Sequence, residues 1–215
     1  NANSNLEELN RKLHKAKKYL AEYYNCTEEE ICIGVYFARK EKRCHYKVIL
    51  GNANFRYLVT DLGELQIIEG NANFGDSNVT NLGKLQSIRG NANFRNSKIT
   101  NLGDLQSIEK SVNFDYSEIT DLSELQSIGE SALFEYSKVT DLGGLQSIGG
   151  DAYFNHSGVT NLGKLQNIGK NVNFRDSKIT DLGNIEHIGG KIITDESNSY
   201  LKEEYERRTN GKFLK

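Results

Sequence analysis

The sequence predicts a mainly β, right-handed parallel β-solenoid of about seven 20-residue coils. A helix/hairpin cap is expected at its N-terminal end and a helical cap at its C-terminal end. Two observations carry that prediction. From Gly51 onward the chain restates one pattern every 20 residues, as in Asn91-Ala92-Asn93-Phe94-Arg95-Asn96-Ser97-Lys98-Ile99-Thr100 and its continuation Asn101-Leu102-Gly103-Asp104-Leu105-Gln106-Ser107-Ile108. Within the unit the apolar positions Ala92, Phe94, Ile99, Leu102, Leu105 and Ile108 are 2, 5, 3, 3 and 3 apart. Neither strand alternation nor a 3.6-residue helical period survives that spacing, whereas a coil that turns inward several times per unit accommodates it.

The register is strict. Phe74, Phe94, Phe114, Phe134, Phe154 and Phe174 recur in step, as do Leu82, Leu102, Leu122, Leu142, Leu162 and Leu182. Seven copies run to Gly190, a fading eighth begins at Lys191, and the first is one residue short between Phe55 and Val59. No copy can bury its apolar side alone, so the core must come from stacking like on like, with successive strands about 4.8 Å apart. The Thr column (Thr60 to Thr180) and the Gln column (Gln66 to Gln166) read as scaffold ladders, and the Asp/Asn column from Asp61 to Asp181 as a turn-stabilising position.

The unit Ala92-x-Phe94-x-x-Ser97-x-Ile99-x-x-Leu102-x-x-Leu105-x-x-Ile108 resembles the leucine-rich repeat over residues 51 to about 194. Ser77, Ser97, Ser117, Ser137, Ser157 and Ser177 stand where that family has an Asn ladder, and Gly-rich corners such as Gly149-Gly150 look more like the short repeats of receptor L-domains. The resemblance implies a tight β-solenoid with few or no helices on its convex side, binding through the exposed side chains of the repeat strand. The serine hydroxyls are expected to bond turn backbone as the Asn amides would.

Three segments follow: an N-terminal cap over 1–50, the solenoid over 51–194 and a C-terminal helical cap over 195–215. Ser4-Asn5-Leu6-Glu7 reads as a capping box. Leu6, Leu9, Leu13, Ala16 and Leu20 then share a face, which predicts an amphipathic helix over 5–24. Thr27 opens a short turn, and Ile31 to Ala38 and Cys44 to Leu50 read as two strands joined as a hairpin over the first coil. Ser197 or Ser199 starts a helix that runs to about Arg208 and stops near Asn210-Gly211. The chain opens on Asn1-Ala2 without a methionine, which reads as the remainder of a Ser-Asn-Ala expression-vector scar with an upstream segment, such as a signal peptide, left out.

Composition excludes more than it selects. The 215 residues carry 27 basic and 29 acidic side chains, a formal charge of −2, and no apolar run long enough to span a bilayer. Residues 51–190 hold 11 basic and 17 acidic groups, so the solenoid is the acidic part and a poor nucleic-acid surface. Neither nucleic-acid binding nor membrane insertion is expected, and compartment and organism stay open. Cys26, Cys32 and Cys44 have no zinc-finger spacing; free thiols or one bridge between any two of them both fit. With no P-loop, nucleophile elbow or His-Glu-x-x-His, and no clustered histidines, neither an enzyme, a cofactor nor a metal is expected.

The informative residues are exposed positions that break the repeat. The outward position between the inward Ala and Phe is Asn54, Asn73, Asn93, Asn113 and Asn173, but becomes Leu133 and Tyr153 in consecutive units. Two residues after the Phe, Asp76 and Asn96 give way to Tyr116, Tyr136 and His156 before Asp176 restores polarity. Stacking places these side chains on one patch with Asp115, Glu135, Asp151 and Asn155 at its rim. The candidate ligand-binding set is therefore Tyr116, Leu133, Glu135, Tyr136, Tyr153, Asn155 and His156, with a protein partner first and carbohydrate binding, or glycan cleavage by the same patch, second. A self-packing aromatic ladder, drift among duplicated units and a purely structural or oligomerising array are the alternatives.

Overall fold

The computed structural model describes residues 2–37, 41–56 and 59–210. Two nine-stranded parallel sheets run along it, the odd-numbered strands in one and the even-numbered in the other. Each coil contributes a two-residue strand to each sheet, as Ala92–Asn93 (β8) and Ser107–Ile108 (β9) do. The pairing steps by 20 residues, Ala92 beside Val112 and Val112 beside Ala132. This is a parallel β-solenoid of about eight turns. A third flank closes the section through a backbone ladder, in which Thr120 donates its N–H to Thr100 O and Thr140 to Thr120 O, each at 2.9 Å.

Turn chemistry explains the 20-residue length. After the even strand, Ser97 N–H donates to Phe94 O at 3.0 Å across a turn whose third residue, Asn96, is left-handed at φ 54. After the third flank, Leu105 N–H donates to Leu102 O at 3.2 Å across a second turn, with Gly103 left-handed at φ 55. Asn101 Oδ1 holds that turn by accepting Gly103 N–H at 3.1 Å, and Asp61, Asn81, Asp121, Asp141, Asn161 and Asp181 repeat the bond. Those carboxylates are turn acceptors. The Thr hydroxyls reach back to the preceding coil, Thr120 Oγ1 donating to Thr100 O at 3.3 Å.

The inward side chains form continuous columns. Phe55, Phe74, Phe94, Phe114, Phe134, Phe154 and Phe174 are fully buried, and successive rings stack with centroids 4.7 to 6.0 Å apart. The serine column meets the expectation only at Ser177, whose Oγ accepts Ile179 N–H at 3.4 Å. The Oγ atoms of Ser77, Ser97, Ser117, Ser137 and Ser157 are buried without a hydrogen-bond partner. The column repeats at the coil spacing of about 4.8 Å, too long for one hydroxyl to bond the next.

Two features of the N-terminal cap depart from the sequence reading. Among the described residues no hairpin forms; the segment instead adds strands to both sheets, with Ile31–Cys32 (β1) parallel to Val48–Ile49 (β3) and Tyr36–Phe37 (β2) parallel to Ala53–Asn54 (β4). A parallel step of 17 residues continues the solenoid and satisfies the edge of the first repeat, which an antiparallel hairpin could not do in both sheets. The helix α1 spans Ala2–Tyr24, so Ser4 lies inside it rather than capping it. Its apolar stripe is not folded against the coil: Leu6, Leu9 and Leu13 are exposed, and among its described side chains only Ala21 is buried. The helix is tied at its C-terminal end, where Tyr24 Oη donates to the Glu69 carboxylate and the phenol is pushed up to about 12 by burial and by that carboxylate. A short 3-10 turn, Glu28–Glu30, follows, with Thr27 N–H donating to Glu30 Oε2 at 2.8 Å.

At the other end α2 spans Tyr200–Asn210 and buries Leu201 against the last coil. The residue missing from the first repeat falls at 57–58, outside the described residues. Cys26, Cys32 and Cys44 are free thiols, each raised above the ordinary cysteine value by burial.

Candidate functional site

The outward face of the even-numbered sheet is built from two interlocked ladders of Asn. At the corner before each strand, a side-chain oxygen accepts the N–H of the equivalent residue one coil on. Asn71 takes Asn91 N–H at 2.7 Å, Ser131 takes Asp151 N–H at 3.1 Å, and Asp151 takes Asn171 N–H at 2.9 Å. Asp151 is thus a backbone acceptor rather than a free acid at the rim of a patch. At the outward position itself, Asn54, Asn73, Asn93, Asn113 and Asn173 each accept the N–H two residues later at 2.8 to 3.0 Å, starting the turn that follows.

Leu133 and Tyr153 remove that turn acceptor from two consecutive coils. The register sets them side by side, between Asn113 below and Asn173 above. The missing bond is replaced at Leu133. Asp115, from the preceding coil, turns its carboxylate to accept Glu135 N–H at 2.8 Å. Asp115 is 4% exposed, and burial holds its carboxyl above the usual carboxylate range despite the Glu135 N–H bond and the pull of Arg95, 3.8 Å away. A buried carboxylate costs stability, so the structure tolerates an expensive acceptor in order to carry Leu133.

Tyr116, Tyr136 and His156 occupy the left-handed turn position, with φ of 55, 52 and 53. Asp76, Asn96 and Asp176 hold it elsewhere, and those residue types suit that backbone. Tyrosine does not, at a cost of about 1–2 kcal/mol per residue. The three rings form an exposed ladder: Tyr116 on Tyr136 at 5.1 Å and 17°, Tyr136 on His156 at 4.5 Å and 11°. The Arg95 guanidinium sits 4.8 Å over the outer face of the ladder's first ring, and His156 Nε2 lies 3.9 Å from Asp176 Oδ2 at its other end. Tyr116, Tyr136 and Tyr153 remain 45%, 48% and 38% exposed, while Leu133, Glu135 and Asn155 are half-buried beside them. All seven residues singled out by sequence therefore lie on three successive coils.

The sequence reading missed the surface that adjoins this patch. A trough of about 640 Å³ runs along the Asn-lined face from Phe37 and Val35 at one end to Leu133 at the other. Phe37 and Val35 are 57% and 54% exposed. Their signal was the pairing of Tyr36-Phe37 with Ala53-Asn54, hidden because the step into the first repeat is 17 residues rather than 20. No family model, curated protein or solved structure matches this chain.

Proposed function

We propose that the chain is a non-enzymatic, leucine-rich-repeat-like interaction module that binds a protein partner through the outward face of residues 111–160. The observation that carries this reading is the compensated break in the repeat: Leu133 is retained at the cost of burying Asp115, and Tyr116 and Tyr136 at the cost of strained backbone. Drift would have no reason to keep costly exposed apolar groups together, whereas a binding face would. The Asn-lined trough beside the patch extends the contact toward Phe37.

A carbohydrate has less support. A sugar platform uses open ring faces, and here the faces of Tyr136 are covered by its two neighbours and one face of Tyr116 by Arg95, so the ladder presents edges and hydroxyls. Edges and hydroxyls suit backbone and side-chain groups of a protein. The solenoid's net acidity disfavours a nucleic acid as the partner. The test is affinity capture from the source organism's lysate and medium by wild type beside Tyr136→Ala and Tyr153→Ala. A protein held by wild type and lost by both variants supports the reading; unchanged capture refutes it.

A further inference from the structure

The C-terminal end of the solenoid is capped unevenly. In the even-numbered sheet each internal coil donates two N–H groups to the coil above: Val112 to Ser131 O at 2.9 Å and Phe114 to Leu133 O at 2.8 Å, then Val172 to Lys191 O at 2.9 Å and Phe174 to Ile193 O at 2.8 Å. By the same register the last strand, Ile192–Ile193 (β18), directs the N–H groups of Ile192 and Thr194 outward. Among the described residues neither finds an acceptor. Elsewhere the cap substitutes for a missing coil. Tyr205 Oη accepts Ile188 N–H at 2.8 Å, Arg208 Nη1 donates to Gly183 O at 2.9 Å, and Asn198 Nδ2 donates to Phe174 O. Among the described residues the outward N–H groups of Ile192 and Thr194 have no such substitute.

Beside that edge a trough of about 580 Å³ separates β18 from α2. Ile192 packs on the core, Ile193 and Thr194 are half-buried, and Tyr205 forms part of the far wall. Arg175, Lys191 and Lys202 line it against a single acid, Glu206.

We propose that the β18 edge is a second binding site, which takes an extended acidic peptide as an added strand. Outward backbone donors select a strand, since helix or sugar would leave their spacing unmatched, and the three cations select acidic side chains along it.

The test uses the full chain and two fluorescein-labelled octapeptides, one alternating Val with Glu and one alternating Val with Lys. The Glu peptide is expected to bind about tenfold tighter than the Lys peptide, and Lys202→Glu to remove that preference. Thr194→Pro, which deletes one outward N–H at a place where an edge strand tolerates proline, should weaken binding about tenfold while Thr194→Val leaves it unchanged. Hydrogen exchange on the wild-type protein gives a readout independent of any variant, with the Ile192 and Thr194 amides slowing when the Glu peptide binds. Equal affinity for both peptides, no binding at about 1 mM, or unprotected amides would overturn the proposal. So would concentration-dependent self-association that blocks the peptide, or binding that appears only after residues 211–215 are removed.

Discussion

Asp115 shows how a single residue can report on its neighbours. It accepts the Glu135 N–H that an Asn at 133 would be placed to serve, and burial raises its carboxyl above the usual range. A raised folded-state value means the native state holds the proton longer than the unfolded chain does. Stability is therefore lost as pH rises from the ordinary carboxylate range through the raised value, and the full penalty persists above it. Asp115→Asn keeps the acceptor and removes the charge. Its melting temperature should exceed that of wild type at pH 7, with the gap closing as pH falls toward 4; thermal melts across that range check it. The buried serines make a similar case in neutral form. Ser117 Oγ has no partner, so Ser117→Ala should be neutral or stabilise by up to about 1 kcal/mol in denaturant unfolding, whereas loss of a real hydrogen bond would destabilise.

At the scale of the element, one coil is a set of columns shared with its neighbours rather than a unit with its own core. Phe114 stacks on Phe94 and Phe134 at 5.4 and 5.2 Å, and all three rings are fully buried. Phe114→Ala opens a cavity that adjacent coils cannot fill without losing register, so equilibrium unfolding should show a loss of about 3–5 kcal/mol. These columns were legible in the sequence because identical residues 20 apart can only meet by stacking. The caps were not. The strands at Ile31 and Tyr36 join the solenoid by a 17-residue step, off the 20-residue period, so the alternation around Ile31 and Cys44 suggested a hairpin. The stripe Leu6, Leu9, Leu13 indicated a helix correctly, but periodicity does not specify what an apolar face meets, and here it meets solvent. The serine column misled for a related reason: residue type indicates a donor, while only coordinates show whether an acceptor is within reach.

For the whole molecule, repetition supplies a uniform background against which departures can be read. Hydrogen bonds shared along two nine-stranded sheets make the solenoid insensitive to what it displays, and the display changes on one face over three successive coils. The positions of Tyr116, Leu133, Tyr136, Tyr153 and His156 were legible in the sequence, since a break in a column is visible in one dimension. The compensations were not: Asp115 beneath Leu133, Arg95 over Tyr116 and the left-handed backbone under the ladder depend on which atoms the register brings together.

The central claim is that these departures are kept for binding rather than for folding, and restoring the background pattern tests it most directly. A variant carrying Tyr116→Asn, Leu133→Asn, Tyr136→Asn and Tyr153→Asn exchanges strained tyrosines for residues suited to left-handed backbone and returns the turn acceptors. Relief of about 1–2 kcal/mol of strain per tyrosine offsets the loss of about 0.5–1.5 kcal/mol per ring stack. Partner capture by this variant, on protein whose melting temperature is measured alongside, is the measurement to make. The account predicts a wild-type or higher melting temperature with capture abolished; a collapsed melting temperature, or capture equal to wild type, would contradict it.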